Sequence, residues 1–114
     1  MMTATNISEF ENEYNLDNAK KEGLPMDKYE VFLNNFDDLS EYKDGSYDVI
    51  FSNDALYHSH DHPKLSREMA RMCSKGGIIC FTAYLVCKGV PEEKMPVIKN
   101  RFHMKHVPSL EMYD

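Results

Sequence analysis

The stretch from Tyr47 to Val86 limits the fold more than anything else in the chain. It opens on "YDVIFS", Tyr47 to Ser52, an apolar run too short for a helix and without clean alternation. Such a run reads as a strand buried on both faces of a parallel sheet. After the polar "NDALYHSH" the signals turn helical at Asp61, an N-cap residue, with Pro63 in the first turn and Leu65, Met69, Met72 and Cys73 at helical spacing. Lys75, Gly76 and Gly77 predict a basic last turn and a stop. "IICFTAYLV", Ile78 to Val86, is a second buried strand. Strand, helix and strand with connections this short form a βαβ unit, whose two strands run parallel.

The flanks are less constrained. Ser8 and Glu11 have capping-box spacing, and a polar helix with Phe10, Tyr14 and Ala19 on one side extends to about Gly23. After a break at Gly23 to Pro25, "YEVFLNNF" has the aromatic and β-branched content of a short strand. The tail from Pro91 to Asp114 is mixed, helical around Met95 to Phe102. At 114 residues the chain suffices for one small α/β domain, residues 1–114.

The net charge of −6, with no Lys/Arg cluster, excludes a nucleic-acid footprint and disfavours anionic membranes. No basic-then-apolar leader and no apolar run of spanning length is present, so the reading is cytoplasmic. Cys73, Cys80 and Cys87 repeat every seven residues without a CxxC pair, which suits reduced core thiols better than disulfides or a zinc cage.

"DALYHSHDHP", Asp54 to Pro63, holds three of the five histidines. In a strand, His58, His60 and His62 would share a side, and with Asp61 they are similar to the HxHxDH signature of binuclear zinc hydrolases. This sequence reads HxHDH, one residue short. Zinc needs each ring nitrogen at about 2.0–2.1 Å, and a one-residue slip turns a ligand to the wrong face. His103 and His106 add an HxxH spacing. Three readings stay open: a metal-dependent hydrolase, a solvated loop leading into a helix, or a functional loop at the carboxyl end of a buried parallel strand, where open α/β sheets place ligands.

The segment "DGSYDVIFSNDALYHSHDHPKLSREMARMCSKGGIICFTAY" resembles the class I S-adenosylmethionine-dependent methyltransferases over their fourth strand, following helix and fifth strand. Arg67, Glu68, Ala70, Arg71, Lys75, Gly76 and Gly77 match the pattern L-E-x-A-R-V-L-K-P-G-G, without its proline. Asp54, Ala55 and His58 reproduce the Asp-Ala-x-x-His of the sarcosine/dimethylglycine and phosphoethanolamine N-methyltransferases. Arg101, Ser109, Leu110 and Tyr113 resemble a later R…S-L-x-x-Y, and "NIS" at Asn6 to Ser8 looks like the segment past their second strand.

That resemblance implies a partial Rossmann-like methyltransferase domain, a mostly parallel sheet with flanking helices, with S-adenosyl-L-methionine as cofactor and a small-molecule amine as acceptor. It implies that Asn35 and Phe36 lie beside the adenine, although the usual small residue before them is Asn34 here. Asn53, Asp54 and Ala55 would line the methionine side, and Asp54 and His58 would face the acceptor amine as catalytic residues, with no metal. The residue types suit the chemistry: a carboxylate orients an ammonium, and a histidine receives the proton that must leave before the lone pair attacks. Most of the rate would come from positioning.

One departure is large. The glycine-rich GxGxG loop after the family's first strand, where only glycine lets the backbone approach the cofactor, occurs nowhere in these residues. The acidic residue expected after strand two is also absent. The resemblance therefore implies a domain lacking its first strand, weakly active or inactive alone, or a non-catalytic interaction module. In the latter case a second copy or a partner chain supplies the strand.

Overall fold

Two βαβ units account for most of the regular structure. The computed structural model describes residues 1–113, with every side chain among them except that of Glu111. The chain divides into two compact units, Met1–Leu39 and Ser40 onward.

The first unit comprises β1 (Met2–Asn6), α1 (Glu9–Lys21) and β2 (Tyr29–Leu33). β1 and β2 pair in parallel from Met2 opposite Tyr29 to Asn6 opposite Leu33. Sequence patterning misses β1, because "MTATN" offers only Met2 and Ala4 as an alternating apolar pair, too short a signal to mark a strand. The ladder to β2 holds it extended, helped by the Thr3 hydroxyl donating to Glu30 Oε1 at 2.6 Å. α1 starts as predicted, with Ser8 accepting from the Glu11 N–H at 3.3 Å. Its packed face differs from the predicted one: Asn12 and Ala19 are buried, whereas Phe10 and Tyr14 are 72% and 56% exposed. The reason is polar. Asn12 Nδ2 donates to the carbonyls of Asn6 at 3.4 Å and Phe32 at 3.1 Å, which turns that face toward the strand ends.

The second unit holds β3 (Tyr47–Ser52), α2 (His62–Met72), β4 (Cys73–Phe81) and α3 (Met95–Phe102). The βαβ prediction holds, with β3 parallel to β4 from Val49 opposite Ile78 to Ser52 opposite Phe81. Asp61 caps α2 by accepting from the Lys64 N–H at 2.9 Å. Lys75, Gly76 and Gly77 do not end the helix; they lie in the strand, because the chain is already extended at Cys73 (φ −70°, ψ 132°). Between Tyr47/Cys73 and Val49/Ile78 the ladder slips, and the extra residues of β4 form a bulge. Ser74 Oγ ties it to Asp48 Oδ1 at 2.8 Å. β4 stops at Phe81, and one further bond, from the Thr82 N–H to the Ser52 carbonyl at 3.0 Å, continues the pairing.

His62, Leu65, Met69 and Met72 form the buried stripe of α2, which packs on β4. Each buried Leu or Met contributes about 1.5–3 kcal/mol. The predicted burial of the strands on both faces does not occur. Val49, Phe51 and Ile78 are 62%, 69% and 61% exposed, because α2 covers one face and, among the described residues of this unit, none covers the other. Nor are the cysteines core thiols: Cys73 is half-buried, Cys80 and Cys87 are exposed, and all three are free. No described helix is long and apolar enough to cross a membrane.

Candidate functional site

The carboxyl ends of β3 and β4 lie side by side, and the residues that follow them form a polar cluster. Asp54 sits just past β3 with φ +50°, the left-handed region that non-glycine residues seldom adopt. Such a conformation costs about 1–3 kcal/mol and persists only where its surroundings enforce it. Here the Asp54 N–H donates to Thr82 Oγ1 at 2.8 Å. The same hydroxyl lies 2.8 Å from Asp54 Oδ1 and 3.0 Å from Asn53 Oδ1. Asn53, Asp54 and Thr82 are exposed, so this clamp presents a carboxylate and a carboxamide to solvent at the strand ends.

Ala55 follows, half-buried, and a 3-10 turn spans Leu56–His58, anchored by buried Leu56. His58 is exposed, its ring 4.2 Å from that of Tyr57, which meets Tyr84 at 5.2 Å; Tyr84 in turn meets Phe102 of α3 at 5.0 Å. Tyr84 and Phe102, with Val86, Ile98 and Met104, line an apolar hollow of about 290 Å³.

The three clustered histidines do not share a side. His60 is exposed, whereas His62 is 2% exposed in the first turn of α2, with Nδ1 2.9 Å from the Tyr113 hydroxyl. The solvated-loop reading therefore does not extend to His62: the helix start turns it inward, and Tyr113, packed edge-on at 5.4 Å, covers it. Burial also raises the Tyr113 hydroxyl above its usual range. Among the described residues no three His, Cys, Asp or Glu side chains converge to hold a metal ion. The HxHDH run is a turn and a helix start, so the strand geometry that a metal site required is absent.

In the first unit, Asn35 is exposed and Phe36 half-buried, just past β2. Asn35 Oδ1 accepts from the Asp37 N–H at 3.0 Å in an Asx turn. Two buried acceptors, Asn34 Oδ1 and Asn12 Oδ1, meet no donor. Asn12 donates to the last residue of β1 and to Phe32 in β2, and Asn34 donates its N–H to the Asn6 carbonyl, so both belong to the carboxyl ends of the strands. Orphan acceptors there fit a ligand rich in hydroxyl or amino donors, which adenosine is.

Thr82 is the functional candidate that sequence reasoning missed. Its signal was present: the polar Thr82 interrupts the second apolar run as "SND" ends the first, and parallel strands bring those positions together.

Residues 2–81 match the family model described as a methyltransferase domain, and the chain belongs to that family. Its class, S-adenosylmethionine-dependent methyltransferases of Rossmann-like fold, is the one the sequence resembles. The chain is 30% identical over 98% of its length to a glycine/sarcosine/dimethylglycine N-methyltransferase of Actinopolyspora halophila, covering 20% of that protein. It is 32% identical over 95% of its length to a sarcosine/dimethylglycine N-methyltransferase of Aphanothece halophytica, covering 38% of it. A solved structure from Galdieria sulphuraria, assigned as a sarcosine dimethylglycine methyltransferase, superposes with a TM-score of 0.85 at 29% identity, over 97% of this chain and 41% of that one. The chain thus spans about a fifth to two fifths of the curated relatives it matches.

Proposed function

We propose that this chain carries part of the site of an S-adenosylmethionine-dependent methyltransferase acting on a small-molecule amine. The observation that carries the reading is the Asp54 carboxylate, held by Thr82 at the carboxyl end of β3 with His58 one turn further on. When bound, the cofactor supplies an electrophilic methyl group. Asn35 and Phe36, beside the buried acceptors of Asn34 and Asn12, hold the adenosine side; Asn53, Asp54 and Ala55 line the methionine side. Asp54 attracts and orients the acceptor ammonium, and His58 Nδ1 or Nε2 takes the proton that frees the lone pair. Positioning supplies most of the acceleration.

The two compact units belong, on this reading, to a single partial methyltransferase domain, since the family match runs through both. Activity requires a glycine-rich strand and loop, provided by a longer polypeptide or by another chain. Free cysteines suit the reducing cytoplasm. A calorimetric titration of S-adenosylhomocysteine into the 114-residue chain, beside a version extended upstream, tests this. Saturable binding by either supports the reading, and binding by neither overturns it. In the active form His58→Ala lowers turnover by about 100-fold; unchanged turnover removes His58 from the mechanism.

A second reading, a non-catalytic module completed by a second copy or a partner chain, draws on the open face of Val49, Phe51 and Ile78. Size-exclusion chromatography with light scattering separates the cases: a defined dimer favours the module, and soluble aggregate favours a fragment.

A further inference from the structure

We propose that Thr82 is a positioning residue for the acceptor amine: its hydroxyl fixes the Asp54 carboxylate in the orientation that receives an ammonium. The inference rests on the reading of Asp54 as the amine-facing carboxylate and names the residue that makes it so. Three contacts converge on one atom. Oγ1 accepts the Asp54 N–H at 2.8 Å, and it lies within donating distance of Asp54 Oδ1 at 2.8 Å and Asn53 Oδ1 at 3.0 Å. A hydroxyl has one proton, so it serves one of these oxygens at a time. The carboxylate wins, because a charged acceptor makes the stronger bond.

Backbone and side chain of Asp54 are therefore gripped by the same atom. The N–H contact holds the left-handed turn at φ +50°, and the Oδ1 contact fixes the side-chain rotamer. Asp54 Oδ2 has no part in the clamp and is free to meet a cation. Thr82 is itself fixed, since its N–H donates to the Ser52 carbonyl at 3.0 Å as the last rung between β3 and β4. Once an ammonium neutralises the carboxylate, the proton can turn to Asn53 while Oγ1 keeps the Asp54 N–H. Through that exchange, occupancy on the amine side is felt by the residue on the cofactor side.

The test compares wild type, Thr82→Val and Thr82→Ser in the upstream-extended chain by amide hydrogen exchange, and by titration of dimethylglycine with S-adenosylhomocysteine present. In Thr82→Val the Asp54 amide exchanges about tenfold faster, as the loss of one hydrogen bond predicts. The Thr82 amide, bonded to Ser52, keeps its protection, and Thr82→Ser restores Asp54. Dimethylglycine binding weakens about tenfold or more in Thr82→Val and recovers in Thr82→Ser. Unchanged exchange at Asp54 overturns the clamp. Equal loss of protection at both amides reduces Thr82 to a structural residue and overturns the proposal. Normal dimethylglycine affinity in Thr82→Val overturns the positioning role while leaving the amine reading intact. No binding by the wild type overturns that reading and the role with it, and the exchange data still judge the clamp.

Discussion

Nδ1 of His62 and the hydroxyl of Tyr113 meet at 2.9 Å across a sequence separation of 51 residues. Tyr113 also packs on Phe81 with ring centroids 5.1 Å apart, and Ser66 Oγ donates to the Met112 carbonyl at 3.4 Å. The end of the described chain thus closes over the start of α2 and the end of β4. Tyr113→Phe keeps the ring contacts and deletes the hydroxyl, removing its hydrogen bond to His62 Nδ1 at a buried site. The expected cost is about 1–2 kcal/mol, read from the urea midpoint.

The same contact predicts an alkaline dependence. Burial raises the Tyr113 hydroxyl above its usual value of 10.0, so the folded state holds that proton more tightly than the unfolded one. Stability from this group is complete below about pH 10 and declines as pH rises through the higher folded value. Tyr113→Phe removes that part of the slope. A slope that persists unchanged in the variant would assign the alkaline transition to other groups.

Arg71 predicts the acid side. Its guanidinium binds Glu68 through Nε and Nη2, Asp44 Oδ1 at 2.6 Å and the Tyr42 carbonyl at 2.7 Å, fastening the acidic loop before β3 to α2. The hydrogen bonds from Arg71 hold the Glu68 carboxyl below its usual 4.5. The associated stability is present above that pH and is lost as pH falls through the lower folded value. Arg71→Met should flatten the acid limb of the stability profile and speed exchange of the Gly45 amide, which donates to the Arg71 carbonyl at 2.8 Å.

Gly76 and Gly77 separate two reasons for glycine in the β4 bulge. At Gly77 an added Cβ would fall 2.7 Å from Cys73 Sγ, 2.9 Å from the Asp48 carbonyl oxygen and 3.0 Å from that of Ser74. The ladder cannot give way there, and Gly77→Ala should cost about 2–3 kcal/mol. At Gly76, φ is +83° with no atom within 4 Å of the added carbon, so Gly76→Ala should cost only the backbone penalty, about 1 kcal/mol. Urea denaturation of the two variants ranks them, and equal midpoints would contradict the bulge geometry.

Asp54 tests whether strain is kept for function. Asp54→Gly relieves the left-handed conformation and keeps the N–H bond to Thr82 but deletes the bond from Thr82 Oγ1 to Oδ1, and at this exposed site the two effects offset to within about 1 kcal/mol. On the proposed function, dimethylglycine binding by the upstream-extended chain should be lost in the same variant. A destabilised Asp54→Gly would mean that the carboxylate serves the fold first.

Local patterning reached some of these features and not others. α2 was legible because Asp61, Pro63 and the spacing of Leu65, Met69 and Met72 all act within a few residues of one another. α3 and the capping of α1 by Ser8 were legible for the same reason. The β4 bulge was not, because it depends on register against β3, and Lys75 to Gly77 carry the same local signals as a helix stop. Neither was the packed face of α1, which two long-range bonds from Asn12 decide.

By itself the sequence determined the order of elements in the second βαβ unit, the family, and the stretch that holds the candidate site, since caps, periodicity and motif spacing are short-range properties. Only the tertiary structure decided which residues of that stretch act together. The "HSHDH" run divides into exposed His58 and His60 and buried His62, because the chain passes from a 3-10 turn into α2 and Tyr113 returns to cover the junction. Thr82 joins Asp54, 28 residues away, because parallel strands place their carboxyl ends adjacent, and one hydroxyl there can hold what no local sequence pattern specifies.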